Sequence, residues 1–327
     1  MAEQGDGPPV IGVDLGGTKI LAGVVAADNQ ILGRAKRATP AKEGGPAILA
    51  TMIECVDEAL GRAGLSRGDI AAGGIGSPGP LDVETGVILF SANLNVENYP
   101  IGPELSAAIQ SPVTVQNDVR AGGYGEYKLG AGRGYRNVIA AFVGTGIGGF
   151  IVQDGQIVNG ATGNAGEIGH IVIKAGGPKC GCGARGCMEA MASKTAIANR
   201  IAKAVKKSKP TNLGEKMARK GRLKSGDLAD AVYEGDEIAI REVRRSAHYL
   251  GLGLGSLINV LGPEIVIVGG GVAGALSDPW IDLIRASART QILADPEGKM
   301  KIVRAALGDD AGILGAALMA REKLVGN

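Results

Sequence analysis

One plan of strands and turns occurs twice in this chain, and the repetition limits what it can fold into. Val10 to Asp14 reads as a buried strand, Leu15-Gly16-Gly17-Thr18 as a turn, and Lys19 to Ala26 as a second strand. Asp28-Asn29 then turns the chain into a third strand, Gln30 to Ala35. The order returns later: strand Asn137 to Val143, glycine turn Gly144 to Gly149, strand Phe150 to Val152, turn Asp154-Gly155, strand Gln156 to Val158. Asp28-Asn29-Gln30-Ile31-Leu32 and Asp154-Gly155-Gln156-Ile157-Val158 correspond position by position, while the glycine turns align only with a short gap. A hairpin-rich unit duplicated in this way is expected to present two glycine turns across one cleft.

Helical periods separate the strands. Pro46 to Ala63, Ala190 to Lys207 and Asp236 to Leu261 read as helices, the last through a stripe of Ile238, Val243, Ala247, Leu250, Leu254, Leu257 and Ile258. Ile265 to Val268 is a further buried strand ending in Gly269-Gly270-Gly271, and Asp309-Asp310 caps a final helix, Ala311 to Lys323. Strands alternating with helices predict an α/β fold. A length of 327 residues suits about two domains. The net charge of +2 points to neither a nucleic-acid nor a membrane partner. The basic run Lys203 to Lys209 reads as a solvated helix end, and segment 208–226 as variable and exposed. Met1 to Pro9 lacks an apolar signal core, and no apolar run approaches the ~20 residues that span a bilayer, so a soluble cytoplasmic protein is expected.

Three of the four cysteines fall between Cys180 and Cys187, with His170 just upstream. Cys180, Cys182, Cys187 and His170 make a closed Cys3His set suited to structural zinc, since a catalytic zinc keeps a position open to water. Cys55, alone on a helical pattern, reads as a buried apolar residue, and His248 as structural. Asp14-Leu15-Gly16-Gly17-Thr18-Lys19 places a carboxylate, two glycines, a hydroxyl and an amine together. Gly16 and Gly17 let backbone N–H groups approach phosphate oxygens, Thr18 donates, Lys19 adds charge, and Asp14 suits Mg²⁺ held through water. An ordinary hairpin turn reads the same residues. Gly144-Thr145-Gly146 opens the second candidate phosphate turn. Asp118, after the strand-like Ser111 to Val115, suits a general base or, equally on spacing, the N-cap of a helix Val119 to Leu129. The Gly76-Ser77-Pro78-Gly79-Pro80 turn and Asn93 offer hydrogen bonds to a polyhydroxy ligand.

These motifs together resemble the ROK family of sugar kinases, most of all its bacterial ATP-dependent glucokinases, over about Val10 to Arg321. The resemblance implies a duplicated actin-like (hexokinase/Hsp70) ATPase fold with two domains around a cleft, residues 1–116 with 309–327 and residues 117–308. It implies phosphorylation of glucose at its 6-hydroxyl by Mg·ATP with Asp118 as base. Gly79, Asn93, Asn117, Glu167, His170 and Glu189 match sugar contacts, and His170, Cys180, Cys182 and Cys187 match zinc ligands. Gly269, Gly270 and Gly271 match a nucleotide-side loop beside Gly144, Thr145 and Gly146. A homodimer is implied as well. A kinase for fructose, mannose or an N-acetylated hexose is the alternative, and a sugar-responsive repressor a remote one. No basic recognition helix precedes the first strand.

Overall fold

The computed structural model describes residues 7–161, 163, 165–293, 295 and 298–325. Residues 1–6 of the polar N-terminal stretch lie outside the described residues. The chain divides into two compact units, Met1–Gly130 with Asp309–Asn327, and Ala131–Gly308.

The first unit opens with β1 (Val10–Leu15), β2 (Lys19–Val25) and β3 (Ile31–Ala38), then α1 (Gly45–Ala63). The helix stops where Gly64 takes φ 70°, a left-handed conformation that lets Gly64 N–H reach the Gly61 carbonyl. There follow β4 (Ala72–Ser77), β5 (Leu81–Asp82), β6 (Val87–Ser91), β7 (Val96–Tyr99), α2 (Ile101–Ile109), β8 (Val113–Asn117) and α3 (Asp118–Lys128). The main sheet runs β3-β2-β1-β4-β8, antiparallel among β1–β3 and parallel from β1 through β4 to β8. β5, β6 and β7 form a small antiparallel sheet of their own.

The C-terminal helix (Asp310–Val325) closes this unit. It lies so near the sheet that a Cβ on Gly12 or Gly74 would strike the Ile313 or Ala316 carbonyl. It meets α3 as closely, because Gly125 and Gly315 present only hydrogen at the crossing. That contact assigns α3 to the first unit. The chain therefore divides after Gly130, rather than at the 116/117 boundary expected from sequence.

The second unit repeats the plan. β9 (Val138–Val143), β10 (Ile147–Gln153) and β11 (Gln156–Ile157) form the meander. α4 (Met188–Ala192), α5 (Lys194–Val205), α6 (Leu213–Lys220), α7 (Ser225–Tyr233) and α8 (Glu237–Leu261) follow, then β12 (Ile265–Gly269), α9 (Gly270–Arg289) and β13 (Lys301–Arg304). Its sheet order, β11-β10-β9-β12-β13, matches the first sheet strand for strand, again parallel from β9 through β12 to β13. The duplication inferred from the two Asp-x-Gln motifs is thus a duplication of topology.

α8 begins where the Asp236 side chain accepts from Ile238 and Ala239 N–H, both at 3.0 Å. It buries Ile238, Val243, Ala247, Leu250, Leu254 and Ile258 of the expected stripe, with Leu257 packed at its margin. The helix read over Ala190 to Lys207 is two helices. Ser193 interrupts it and caps α5 by accepting from Ala196 N–H at 3.1 Å. Segment 208–226 is not simply exposed: it contains α6, and Leu213 and Leu223 are buried in the core. Cys55 is fully buried in the first core, as its helical setting implied, and burial pushes its thiol up to about 11.

Candidate active site

Parallel β1, β4 and β8 end along one edge of the first sheet, where Asp14 pairs with Gly76 and Ser77 with Asn117. In open α/β sheets the carboxyl ends of strands are where ligands gather. Asn117, not Asp118, caps α3: its Oδ1 accepts from Val119 N–H at 3.0 Å and Arg120 N–H at 3.2 Å. The capping role that spacing allowed for Asp118 thus falls to its neighbour. Asp118 becomes the first residue of α3, with its carboxylate at the positive end of the helix. A Cβ on Gly76 would stand 3.2 Å from the Ala121 Cβ and 3.4 Å from the Asp118 Cα, so the start of α3 lies close against the end of β4.

Asp14 is hemmed in by the C-terminal helix, a Cβ on Gly312 falling 2.9 Å from its Cγ. Burial and the neighbouring Asp118 charge push the Asp14 carboxyl up to about 6, with Lys19 pulling it down and Asp309 adding to the rise. Two adjacent carboxylates of this kind are hard oxygen donors that fit a hydrated magnesium ion. The first glycine turn is closed by Gly16 N–H to the Lys19 carbonyl at 2.9 Å and braced by the Thr39 hydroxyl donating to the Gly16 carbonyl at 2.6 Å. Thr18 is exposed. Lys19 ion-pairs with Asp309 at 2.7 Å. Asn93 is exposed with its backbone against Gly17, where a Cβ would come 3.1 Å from the Asn93 carbonyl. Gly79 takes φ 106° and presses on the Phe90 carbonyl, so it can offer a ligand only backbone.

In the second unit, β9 runs into the turn Gly144-Thr145-Gly146, closed by Gly144 N–H to the Gly146 carbonyl at 2.9 Å. Gly269 ends β12, and Gly270, at φ 85°, starts α9 against the Val143 backbone. The three glycines expected as a loop are therefore a strand-to-helix junction, and the structure sets it beside the Gly144 turn. The 3-10 turn Ile168–His170 packs on β10 through Gly149 and Gly169, neither of which has room for a Cβ.

His170, Cys180, Cys182 and Cys187 bring their ligand atoms within 4.8 Å of one another. Cys182 Sγ lies 3.7 Å from Cys187 Sγ, and Cys180 Sγ lies 3.7 Å from His170 Nδ1. A tetrahedron with sulfurs at about 2.3 Å and nitrogen at about 2.0 Å from a central ion has edges of roughly 3.5–3.8 Å. The donor set suits zinc, and the Cys182–Cys187 and Cys180–His170 edges match such a tetrahedron. With Nδ1 turned to the sulfurs, His170 directs Nε2 toward Glu167, 3.9 Å from its carboxylate. Glu167 is exposed. Glu189 sits in the first turn of α4, its Oε1 3.5 Å from Cys180 Sγ and its Oε2 accepting from Ile147 N–H at 2.9 Å.

Residues 10–323 match the ROK family. The chain belongs to that family. It is 35% identical to a glucokinase of Thermotoga maritima over 97% of this chain and 98% of the relative. A ROK hexokinase from Thermus thermophilus superposes with a TM-score of 0.80 at 35% identity, covering 98% of this chain and all of that one. A ROK glucokinase from Streptomyces griseus, solved with glucose and AMPPNP, gives 0.80 at 33% identity over 96% and 99% of the two chains. The fold of this ROK protein is accordingly the duplicated actin-like ATPase fold. Among the described residues no helix is long and apolar enough to cross a membrane.

Within this ROK protein the first unit gathers Asp14, Gly16 to Lys19, Asn93, Asn117 and Asp118, and the second gathers Gly144 to Gly146, Glu167, His170, Glu189 and Gly269 to Gly271. Sequence reasoning missed Asp309 as the partner of Lys19, 290 positions away, for which no local signal exists. It also missed Thr195, whose hydroxyl donates to the Thr145 carbonyl at 2.7 Å. His248 is exposed on α8 and bonds Ser287, in keeping with a structural part.

Proposed function

We propose that this ROK protein transfers the γ-phosphoryl group of ATP to the 6-hydroxyl of glucose. The observation that carries the reading is the placement of Asp118 and Asp14 together at the ends of parallel strands, above a glycine turn with an exposed hydroxyl. Relatives named glucokinase match it over nearly their whole length.

Asp118 accepts the proton of the 6-hydroxyl as that oxygen forms its bond to the γ-phosphorus. The bond from the γ-phosphorus to the bridging oxygen breaks, and ADP leaves with the electron pair. Asn117 uses Oδ1 for the helix cap, which leaves its amide N–H₂ for a sugar oxygen. Asn93, Glu167, His170 and Glu189 supply the other hydroxyl contacts, and Gly79 contributes backbone. His170 would thereby join metal to substrate, with Nδ1 on the cysteine side and Nε2 on the Glu167 side.

Gly16, Gly17, Thr18 and Lys19, and Gly144, Thr145, Gly146 and Gly269 to Gly271, hold the nucleotide through backbone N–H groups and hydroxyls. Lys19 exchanges Asp309 for phosphate oxygens as ATP enters. Asp14 would hold Mg²⁺, which would supply positive charge against the phosphate oxygens. His170, Cys180, Cys182 and Cys187 would hold zinc, which would keep the sugar-contact loops in shape. The protein chiefly orients reactants and balances charge.

The test is phosphorus NMR of the product from glucose and Mg·ATP. Glucose 6-phosphate from wild type and none from Asp118→Asn supports the reading, and phosphate on another hydroxyl or undiminished product from the variant overturns it. The same family resemblance extends the reading to a cytoplasmic homodimer. Light scattering at assay concentration would test the pairing, and cell fractionation the location.

A further inference from the structure

The segment from Glu189 to Thr195 begins two residues after the zinc ligand Cys187 and reaches the second glycine turn at three points. Glu189 Oε2 accepts from Ile147 N–H at 2.9 Å. Lys194 N–H donates to the Gly144 carbonyl at 3.0 Å. The Thr195 hydroxyl donates to the Thr145 carbonyl at 2.7 Å. Gly146 seals the contact, since a Cβ there would collide with the Glu189 carboxylate.

The segment is itself well anchored. Buried Ser193 caps α5, and the Arg200 guanidinium donates to the Met191 carbonyl at 2.8 Å. At its start, the second Glu189 oxygen stands 3.5 Å from Cys180 Sγ. A turn made largely of glycine has little of its own to restrain it, and glycine loses more freedom on ordering than any other residue. Here the restraint comes from outside, from a segment rooted on the Cys3His cluster.

We infer that this segment is a clasp through which the zinc centre sets the shape of the nucleotide turn. Glu189 and Thr195 are positioning residues for ATP, and Glu189 serves this purpose besides its sugar contact. The inference rests on reading Gly144 to Gly149 as a nucleotide turn. It predicts that zinc occupancy governs ATP affinity and not sugar affinity alone, because a turn already in its bound shape spares the ligand the cost of ordering it.

Thr195 is the place to test it, because Thr195 has no part in the sugar contacts and Thr195→Val keeps the side-chain shape. Titration of the zinc-loaded protein with Mg·AMPPNP should show Kd rising about two- to tenfold in Thr195→Val, the effect of one hydrogen bond. The KM for ATP should rise alike, with kcat and the KM for glucose nearly unchanged, and Thr195→Ser should restore wild-type values. A general structural weakening would move both KM values together and would not be reversed by serine.

In parallel, stripping zinc from wild type should weaken AMPPNP binding and speed hydrogen exchange at the Ile147 amide. An unchanged Kd in Thr195→Val, or full AMPPNP affinity and a protected Ile147 amide without zinc, would overturn the clasp. If zinc-loaded wild type binds no AMPPNP, the nucleotide reading fails on its own. Exchange at Ile147 then decides the clasp: faster without zinc supports it, unchanged refutes it.

Discussion

Replacing Asp14 with asparagine should make the magnesium-free protein more stable while removing its activity. Burial and Asp118 lift the Asp14 carboxyl from an ordinary 3.8 to about 6. The folded chain therefore holds a proton at Asp14 that the unfolded chain has already released between those two values. Stability falls as pH rises through that window and levels off above it. At about 1.4 kcal/mol per tenfold change in proton affinity, the penalty is roughly 1.6 kcal/mol at pH 5 and roughly 3 kcal/mol at pH 8. Asp14→Asn carries no ionisable group and escapes it. Calorimetry in magnesium-free buffer, without a chelator that would also take zinc, should show the variant gaining on wild type from pH 5 to pH 8. Magnesium added to wild type should narrow the gap. A variant no more stable than wild type at pH 8, or a gap that does not change with pH, would refute the reasoning that a strained carboxylate waits there for a cation.

Other perturbations probe the scaffold. Cys182→Ser removes one of the four proposed zinc ligands and should drop metal content below one zinc per chain by elemental analysis; a full zinc complement would remove Cys182 from the set. Glu242, with a side chain only 3% exposed, takes Arg200 on one oxygen and Arg241 on the other. Glu242→Ala should cost about 3–5 kcal/mol in urea unfolding followed by Trp280, whose indole bonds the neighbouring Val243 carbonyl. A loss under about 1 kcal/mol would mean that the buried arginine finds water. Gly315→Ala would place a methyl group against the Ala121 carbonyl and force α3, which carries Asp118, off the C-terminal helix. It should cost about 1–3 kcal/mol and lower kcat, and an active variant of wild-type melting temperature would show that the crossing has room.

What could be read in advance follows the range of the forces involved. The two meanders were legible because strand alternation and turn residues are local, and their repetition gave each copy a check on the other. The gathering of His170, Cys180, Cys182 and Cys187 was legible because soft side chains at so short a spacing read as one cluster. Asn117 took the cap that spacing also allowed for Asp118 because both side chains suit that place, and only the backbone path at the end of β8 decides between them. Ser193 hid the break between α4 and α5, since one serine in a helical period looks like a solvent position until its side chain is seen capping. The small sheet of β5 to β7 went unread because two of its strands are very short or exposed and alternate weakly. The packing of α3 on the C-terminal helix and the pairing of Lys19 with Asp309 join distant residues, and no periodicity carries that information.

The central claim is that Asp118 activates a glucose hydroxyl for attack on ATP. ADP release with Mg·ATP tests it most directly, measured across glucose, mannose, fructose, N-acetylglucosamine and N-acetylmannosamine for wild type and Asp118→Asn. Removing a general base costs about 10²–10⁴ in rate. Glucose-dependent release that falls by that factor in the variant, with glucose binding retained by calorimetry, is the predicted result. Release of the same size from Asp118→Asn, or none from wild type with glucose, would contradict it.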